Sequence, residues 1–102
     1  MNYFYVKDEE DEEKALNSNS GIICFSAKWC MPCKKIKPDY HNLADLYKAI
    51  DFYEVDIEDR EEFTKKLDIT ALPSFIMVKD GKIIETVVGS DMSKVENMLK
   101  RL

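Results

Sequence analysis

The stretch Ile22-Ile23-Cys24-Phe25-Ser26-Ala27 is a continuous apolar run of strand length, and beyond it the apolar spacing changes to Ile36, Tyr40, Leu43, Tyr47 and Ile50. An unbroken apolar run suits a central strand covered on both faces. Steps of three and four residues instead put one buried face on a helix. A doubly covered strand that feeds such a helix restricts the chain to layered α/β architectures. Pro38 falls inside the helical pattern and predicts a kink there, because proline lacks an N–H and clashes with the preceding turn.

The flanking segments extend the alternation. Asn2–Val6 reads as a first strand, Asp8–Leu16 as a helix with few apolar positions, and Asn17–Gly21 as turn chemistry. Asp51–Ile57 returns to strand and Asp59–Leu67 to a short helix. Ser74–Val78 and Lys82–Val88 flank Lys79-Asp80-Gly81, which predicts an antiparallel hairpin. Asp91 can cap a last helix whose inner stripe is Met92, Val95, Met98, Leu99 and Leu102. The order β-α-β-α-β-α-β-β-α implies a central mixed five-stranded sheet flanked by four helices. The two central helices are expected to be right-handed crossovers between parallel strands. Tyr3, Phe25, Phe52, Tyr53, Phe63 and Phe75 are expected in or near the core.

With 102 residues, the chain is expected to be one domain, residues 1–102. Hydrophobic residues at 45% suffice for a packed core. A formal net charge of −5 disfavours nonspecific nucleic-acid binding, which depends on Lys and Arg neutralising phosphates. Much of the negative charge lies in Asp8–Glu13, which suits a solvated helix start where acids meet the positive end of the dipole. No apolar run approaches the ~18 residues of a membrane helix. The N-terminus is aromatic and then acidic, whereas a secretory signal is basic and then apolar, so a reducing, cytoplasmic setting is expected.

Three cysteines, Cys24, Cys30 and Cys33, fit one working pair and one left over rather than a disulfide framework. His41 would complete a zinc ligand set by count alone. Yet a helical path of 41 − 30 = 11 residues is roughly 16 Å long at about 1.5 Å each, and zinc ligands sit about 2.3 Å from the metal. No metal site is therefore expected. A redox reading fits better. Cys30 stands where a central strand gives way to a helix N-terminus, whose free N–H groups and dipole favour the thiolate that attacks disulfides. Cys33 lies one turn on, on the same face, and should be more shielded. Pro32 costs little in a first turn, where N–H groups lack helical partners anyway.

From Tyr3 to Leu102 the chain resembles the thioredoxins, and among them the eukaryotic cytosolic type. The resemblance is carried by Phe25–Pro38 (FSAKWCMPCKKIKP), Val55–Asp59 (VDIED), Ile69–Lys82 (ITALPSFIMVKDGK) and Gly89. It implies a single domain of thioredoxin fold and a protein disulfide reductase that serves redox homeostasis. Cys30 would attack a substrate disulfide and Cys33 would resolve the mixed disulfide. Trp29, Met31, Pro32, Leu72, Pro73 and Gly89 would form the docking surface, with Leu72–Pro73 as a cis peptide and the Leu72 backbone pairing with substrate. It also implies no bound cofactor beyond the Cys30–Cys33 disulfide, electrons from NADPH through thioredoxin reductase, and disulfide-containing targets. The protein would be a monomer, with no nucleic-acid or membrane partner.

Two positions depart from the family pattern. Met31 stands where the common motif has glycine; it is either a tolerated exposed residue or one that changes potential and narrows partner choice. Cys24 stands where most thioredoxins carry a buried aspartate that takes the resolving thiol's proton. Cys24 reads most simply as a small buried hydrophobe. Glu54, with Cys24 beside it, is then the candidate proton relay, unless Glu54 merely points to water. Two other functions compete with reduction. A binding module on the same scaffold is opposed by the retained Trp29, Cys30, Pro32, Cys33 and Pro73. An oxidase or isomerase is opposed by the missing signal and retention tail.

Overall fold

The computed structural model describes residues 1–102. Its elements are β1 (Tyr3–Tyr5), α1 (Glu9–Leu16), β2 (Ser20–Ser26), α2 (Met31–Leu46), β3 (Asp51–Asp56), α3 (Glu61–Lys66), β4 (Ser74–Lys79), β5 (Lys82–Val88) and α4 (Met92–Leu99). The sheet order is β1-β3-β2-β4-β5. β3 runs parallel to both β1 and β2, while β4 is antiparallel to β2 and β5 to β4. The expected mixed five-stranded sheet with four helices is thus present.

The crossover assignment needs correction. α2 does join parallel neighbours, β2 and β3. α3 leads from β3 into β4, which runs the opposite way, so it is no parallel crossover. The second parallel connection is α1, which carries the chain from β1 over β3 to β2. The apolar pattern of a strand is blind to its direction, which explains the error.

Because strand side chains alternate between faces, the sheet divides the core in two. Ile22, Cys24, Phe52, Phe75 and Met77 pack against Ile36, Tyr40 and Leu43 of α2 and Val95, Met98 and Leu99 of α4. Ile23, Phe25, Tyr53, Val55, Ile76 and Val78 pack against Ala15 of α1 and Phe63 of α3. β2 is buried from Gly21 to Ser26, as its apolar run required.

Several boundaries differ from expectation: β1 spans only Tyr3–Tyr5, β3 stops at Asp56, and α2 stops at Leu46, so that Tyr47 caps it and Ile50 of its apolar pattern lies beyond its end. β2 begins at Ser20, inside the segment read as a turn, since Ser20 pairs with Lys79 and Gly21 with both Val78 and Asp51. Gly21 serves close approach here: a Cβ on it would lie 2.7 Å from that of Ser18. α3 begins at Glu61 rather than Asp59, because Asp56 holds a turn: its carbonyl accepts from the Asp59 and Arg60 N–H groups and its side chain from that of Glu58. The predicted cap of α4 forms, and Asp8, read as the first residue of α1, proves to be its cap. Asp8 accepts from the Asp11 N–H ahead of the acidic first turn of α1, and Asp91 accepts from the Ser93 N–H at α4.

α2 is the element that presents the dithiol, and it is tied down along its length. The Tyr40 hydroxyl, fully buried, donates to the Tyr53 carbonyl at 2.8 Å. At its C-terminal end the Asn2 side-chain amide shares its two N–H bonds among the carbonyls of Ala44 (2.8 Å), Ile50 (3.0 Å) and Tyr47 (3.2 Å). Chain-terminal carbonyls of a helix lack intrahelical partners, so this contact fills a real deficit. Asn2→Ala should lower stability by about 1–2 kcal/mol, read as a lower urea midpoint; an unchanged midpoint would show that water replaces the amide at no cost.

Candidate functional site

β2 ends at Ser26 and α2 begins at Met31, so the segment Ala27–Cys30 joins the sheet centre to a helix N-terminus. Cys30 is the N-cap residue in extended geometry (φ −85°, ψ 107°). Its Sγ accepts from the Cys33 N–H at 3.3 Å, so a sulfur fills the place that a Ser, Thr or Asp oxygen commonly takes. The Cys30 carbonyl accepts from the Lys34 N–H at 3.2 Å and starts the helix ladder. An N–H aimed at Sγ and the positive end of a 16-residue helix both stabilise negative charge on that sulfur. Cys30 and Cys33 are joined as a disulfide, with Cα atoms 5.3 Å apart. Pro32 lies in the first turn, where its missing N–H leaves no helical bond unmade.

The surroundings of the two sulfurs differ. Trp29 and Met31 on either side of Cys30 are 64% and 60% exposed. With Cys30, Pro32, Ile57, Ile69 and Leu72 they line an apolar groove of about 440 Å³. The Leu72–Pro73 peptide is cis. Leu72 packs against the small cluster of Ala27, Cys30 and Cys33, and its backbone N–H and carbonyl make no hydrogen bond within the chain. The Pro73 carbonyl accepts from the Gly89 N–H at 2.9 Å. Gly89 has φ +107°, a conformation that only glycine adopts at little cost, and a Cβ there would face open space. The structure therefore gathers Trp29, Met31, Pro32 and Leu72 around Cys30, with Pro73 and Gly89 directly behind Leu72.

Cys33 lines a second cleft, of about 520 Å³, together with Lys34, Lys37 and Glu54. Glu54 does not point to water: it is 6% exposed. It pairs with Cys24 in the β2–β3 register and lies on the α2 side of the sheet. Its Oε1 forms an ion pair with Lys37 Nζ, and its Oε2 accepts from the Tyr3 hydroxyl at 2.5 Å. Burial alone would pull the Lys37 ammonium down, but the hydrogen bond to Glu54 and its charge outweigh this and leave it raised. Cys24 is buried beside them, and its thiol is pushed well up, by burial first and by the Glu54 charge second, with Lys37 opposing. It is therefore held as a neutral thiol, as its apolar strand suggested. Sequence reasoning missed Lys37 and Tyr3 as members of this cluster. The spacing Cys33–Lys37, one helical turn, was the available signal for the first; Tyr3 carried none, because its partner lies on a strand 51 residues away. His41 lies on the α2 surface with its ring stacked on Tyr3, centroids 4.0 Å apart.

A family model described as Thioredoxin matches residues 3–101. Thioredoxin of Gallus gallus is 36% identical over 97 residues, covering 95% of this chain and 92% of that protein. Thioredoxin H2 of Arabidopsis thaliana is 36% identical over 81 residues, 79% of this chain; the match spans 61% of that longer relative. Among solved structures, mitochondrial thioredoxin 3 of Saccharomyces cerevisiae in its oxidised form superposes with a TM-score of 0.91 at 26% identity, over 96% of this chain and 93% of that one. No helix of the chain is long and apolar enough to cross a membrane.

The buried thiol and phenols fix a pH dependence. Cys24, Tyr3 and Tyr40 are all raised above their ordinary values, burial being the largest cause for each. Each binds its proton more tightly folded than unfolded, so its contribution is intact below the ordinary value and is lost as pH rises past it, from 9.0 upward for Cys24. The loss is about 1.4 kcal/mol per pH unit for the fully buried Cys24 and Tyr40 and less for the partly exposed Tyr3, where solvent screens the effect. Urea unfolding of the oxidised protein near pH 8 and near pH 10 should show it. Cys24→Ala, less stable throughout, should lose less stability between the two; equal losses would mean that Cys24 ionises as easily folded as unfolded.

Proposed function

The chain belongs to the thioredoxin family and is a dithiol–disulfide oxidoreductase, and from that premise we propose that it reduces disulfides of other proteins, with Cys30 as the attacking sulfur and Cys33 as the resolving one. The observation that carries this assignment is the Cys33 N–H aimed at Cys30 Sγ at the head of α2, beside an apolar groove. The thiolate of reduced Cys30 attacks one sulfur of a substrate disulfide; that bond breaks and the other substrate sulfur leaves as a thiolate. Cys33 then attacks Cys30, releases the second substrate sulfur, and leaves the Cys30–Cys33 disulfide seen in the structure. Two electrons pass to the substrate and its two sulfurs become thiols.

Trp29, Met31 and Pro32 form one wall for a docked peptide, and Leu72 the other. The unpaired N–H and carbonyl of Leu72 suit an extended substrate segment that adds one short strand. Pro73 and Gly89 shape the backbone that holds Leu72 in place. Regeneration of the dithiol draws on NADPH through a thioredoxin reductase; the family membership supports this, as it does a cytoplasmic setting and a monomeric working form. A scaffold without redox work is opposed by the retained geometry at Cys30.

Insulin reduction with dithiothreitol tests the assignment. The wild type should catalyse it and Cys30→Ser should lose all activity, while Cys33→Ser should accumulate substrate as a stable mixed disulfide on Cys30. An inactive wild type, or a Cys30→Ser variant with full activity, would overturn the reading. Met31→Ser, which removes an exposed apolar contact from the groove, should raise KM for a protein substrate by about 2- to 5-fold with kcat nearly unchanged, in line with the loss of roughly 0.5–1 kcal/mol of apolar contact. A change confined to kcat would place Met31 in the chemistry instead of the docking.

A further inference from the structure

We propose that Glu54, positioned by Tyr3 and Lys37, accepts the proton that Cys33 gives up when it resolves the mixed disulfide. The inference rests on the resolving role assigned to Cys33 above. Glu54 is a carboxylate more than nine-tenths buried, and it lines the same cleft as Cys33. A buried carboxylate is costly unless its oxygens are satisfied; here one oxygen meets the Lys37 ammonium and the other the Tyr3 hydroxyl. Lys37 follows Cys33 by four residues on α2, so the two side chains rise from one helix face. The ammonium thus links the carboxylate to the turn that carries the reacting thiol. The cleft, at about 520 Å³, has room for bridging water.

Of the other carboxylates that line the cleft, Asp56 is only partly buried and already accepts from the Glu58 N–H, and Asp59 is exposed, so Glu54 is the buried one. Cys24 on β2 and Tyr3 on β1 face it directly, and Tyr40 on α2 lies near; burial holds each of them protonated. Lys37 is a cation with its proton held more firmly than usual. Tyr5 on β1 borders the cleft but takes no hydrogen bond to Glu54. In the step itself the Cys33 S–H bond breaks and its proton passes through cleft water to the carboxylate. The Cys33 sulfur bonds to Cys30 Sγ, and the bond from Cys30 to the substrate sulfur breaks. That sulfur leaves with the electron pair, and Glu54 returns the proton to it or to solvent. Tyr3 and Lys37 touch no reacting atom; they hold the carboxylate in place.

Stopped-flow mixing of the reduced protein with an equimolar chromogenic aryl disulfide separates the two steps, because each releases one coloured thiolate. The first phase reports attack by Cys30 and the second resolution by Cys33. Glu54→Gln should leave the first phase at the wild-type rate near pH 7 and slow the second by roughly tenfold to a hundredfold. The deficit should shrink as pH rises, because hydroxide then takes over removal of the Cys33 proton. Tyr3→Phe, which keeps the packing and removes only the hydroxyl, should slow the second phase a few-fold with the same pH dependence. A normal first phase certifies that each variant is folded at the dithiol. An unchanged second phase in Glu54→Gln, or a deficit that stays constant with pH, overturns the proposal and leaves Glu54 a packing role. A wild type with no first phase would instead sink the parent assignment of Cys30.

Discussion

A hydrogen bond from the Cys33 N–H to Cys30 Sγ, at the point where β2 hands over to α2, is the contact on which the working end of this molecule depends. It makes the sulfur of Cys30 the cap of its own helix. The same orphan N–H groups that a helix must satisfy at its N-terminus therefore stabilise charge on the atom that reacts. This works only if the helix stays put. Tyr40 anchors α2 to the sheet through the Tyr53 carbonyl, Ile36 and Leu43 seat it on Ile22, Phe52 and Phe75, and Asn2 closes its far end.

Around that cap the protein separates two kinds of surroundings. The Cys30 side is apolar and open, with Trp29 and Met31 exposed beside a groove that has no charged lining. The cleft reached by Cys33 is lined by lysines and carboxylates. An incoming protein thus meets one sulfur across a surface that favours apolar contact, and the second sulfur stays beside groups that can carry charge and protons.

The Glu54–Lys37 pair is poorly explained by stability. Removing two charges from water costs several kcal/mol each, and a buried pair often does no better than apolar residues of the same size. The Tyr3 hydroxyl completes the carboxylate's bonding, and no buried side-chain polar atom of the chain lacks a partner. The desolvation is tolerable because it is fully compensated, and Lys37, which is partly exposed, keeps contact with solvent.

What the sequence determined by itself is local. Ile22–Ala27 required a strand buried on both sides, the three-and-four spacing from Ile36 required a helix seated by one face, and Asp91 carried the cap of α4 in its own side chain. The place of Cys30 and Cys33 at a helix start followed from the same patterns, and the resemblance to thioredoxins supplied the cis peptide at Pro73. Strand direction was beyond reach for α3, because an apolar run reads the same in both directions. Gly21 looked like a turn residue because its need, room for Ser18, arises from a neighbour in space. Only the tertiary structure decided that Tyr3, Lys37 and Glu54 meet. They come from β1, α2 and β3, and although the Cys33–Lys37 spacing puts Lys37 on the dithiol's helix face, nothing local in the chain says that Tyr3 and Glu54 meet it there.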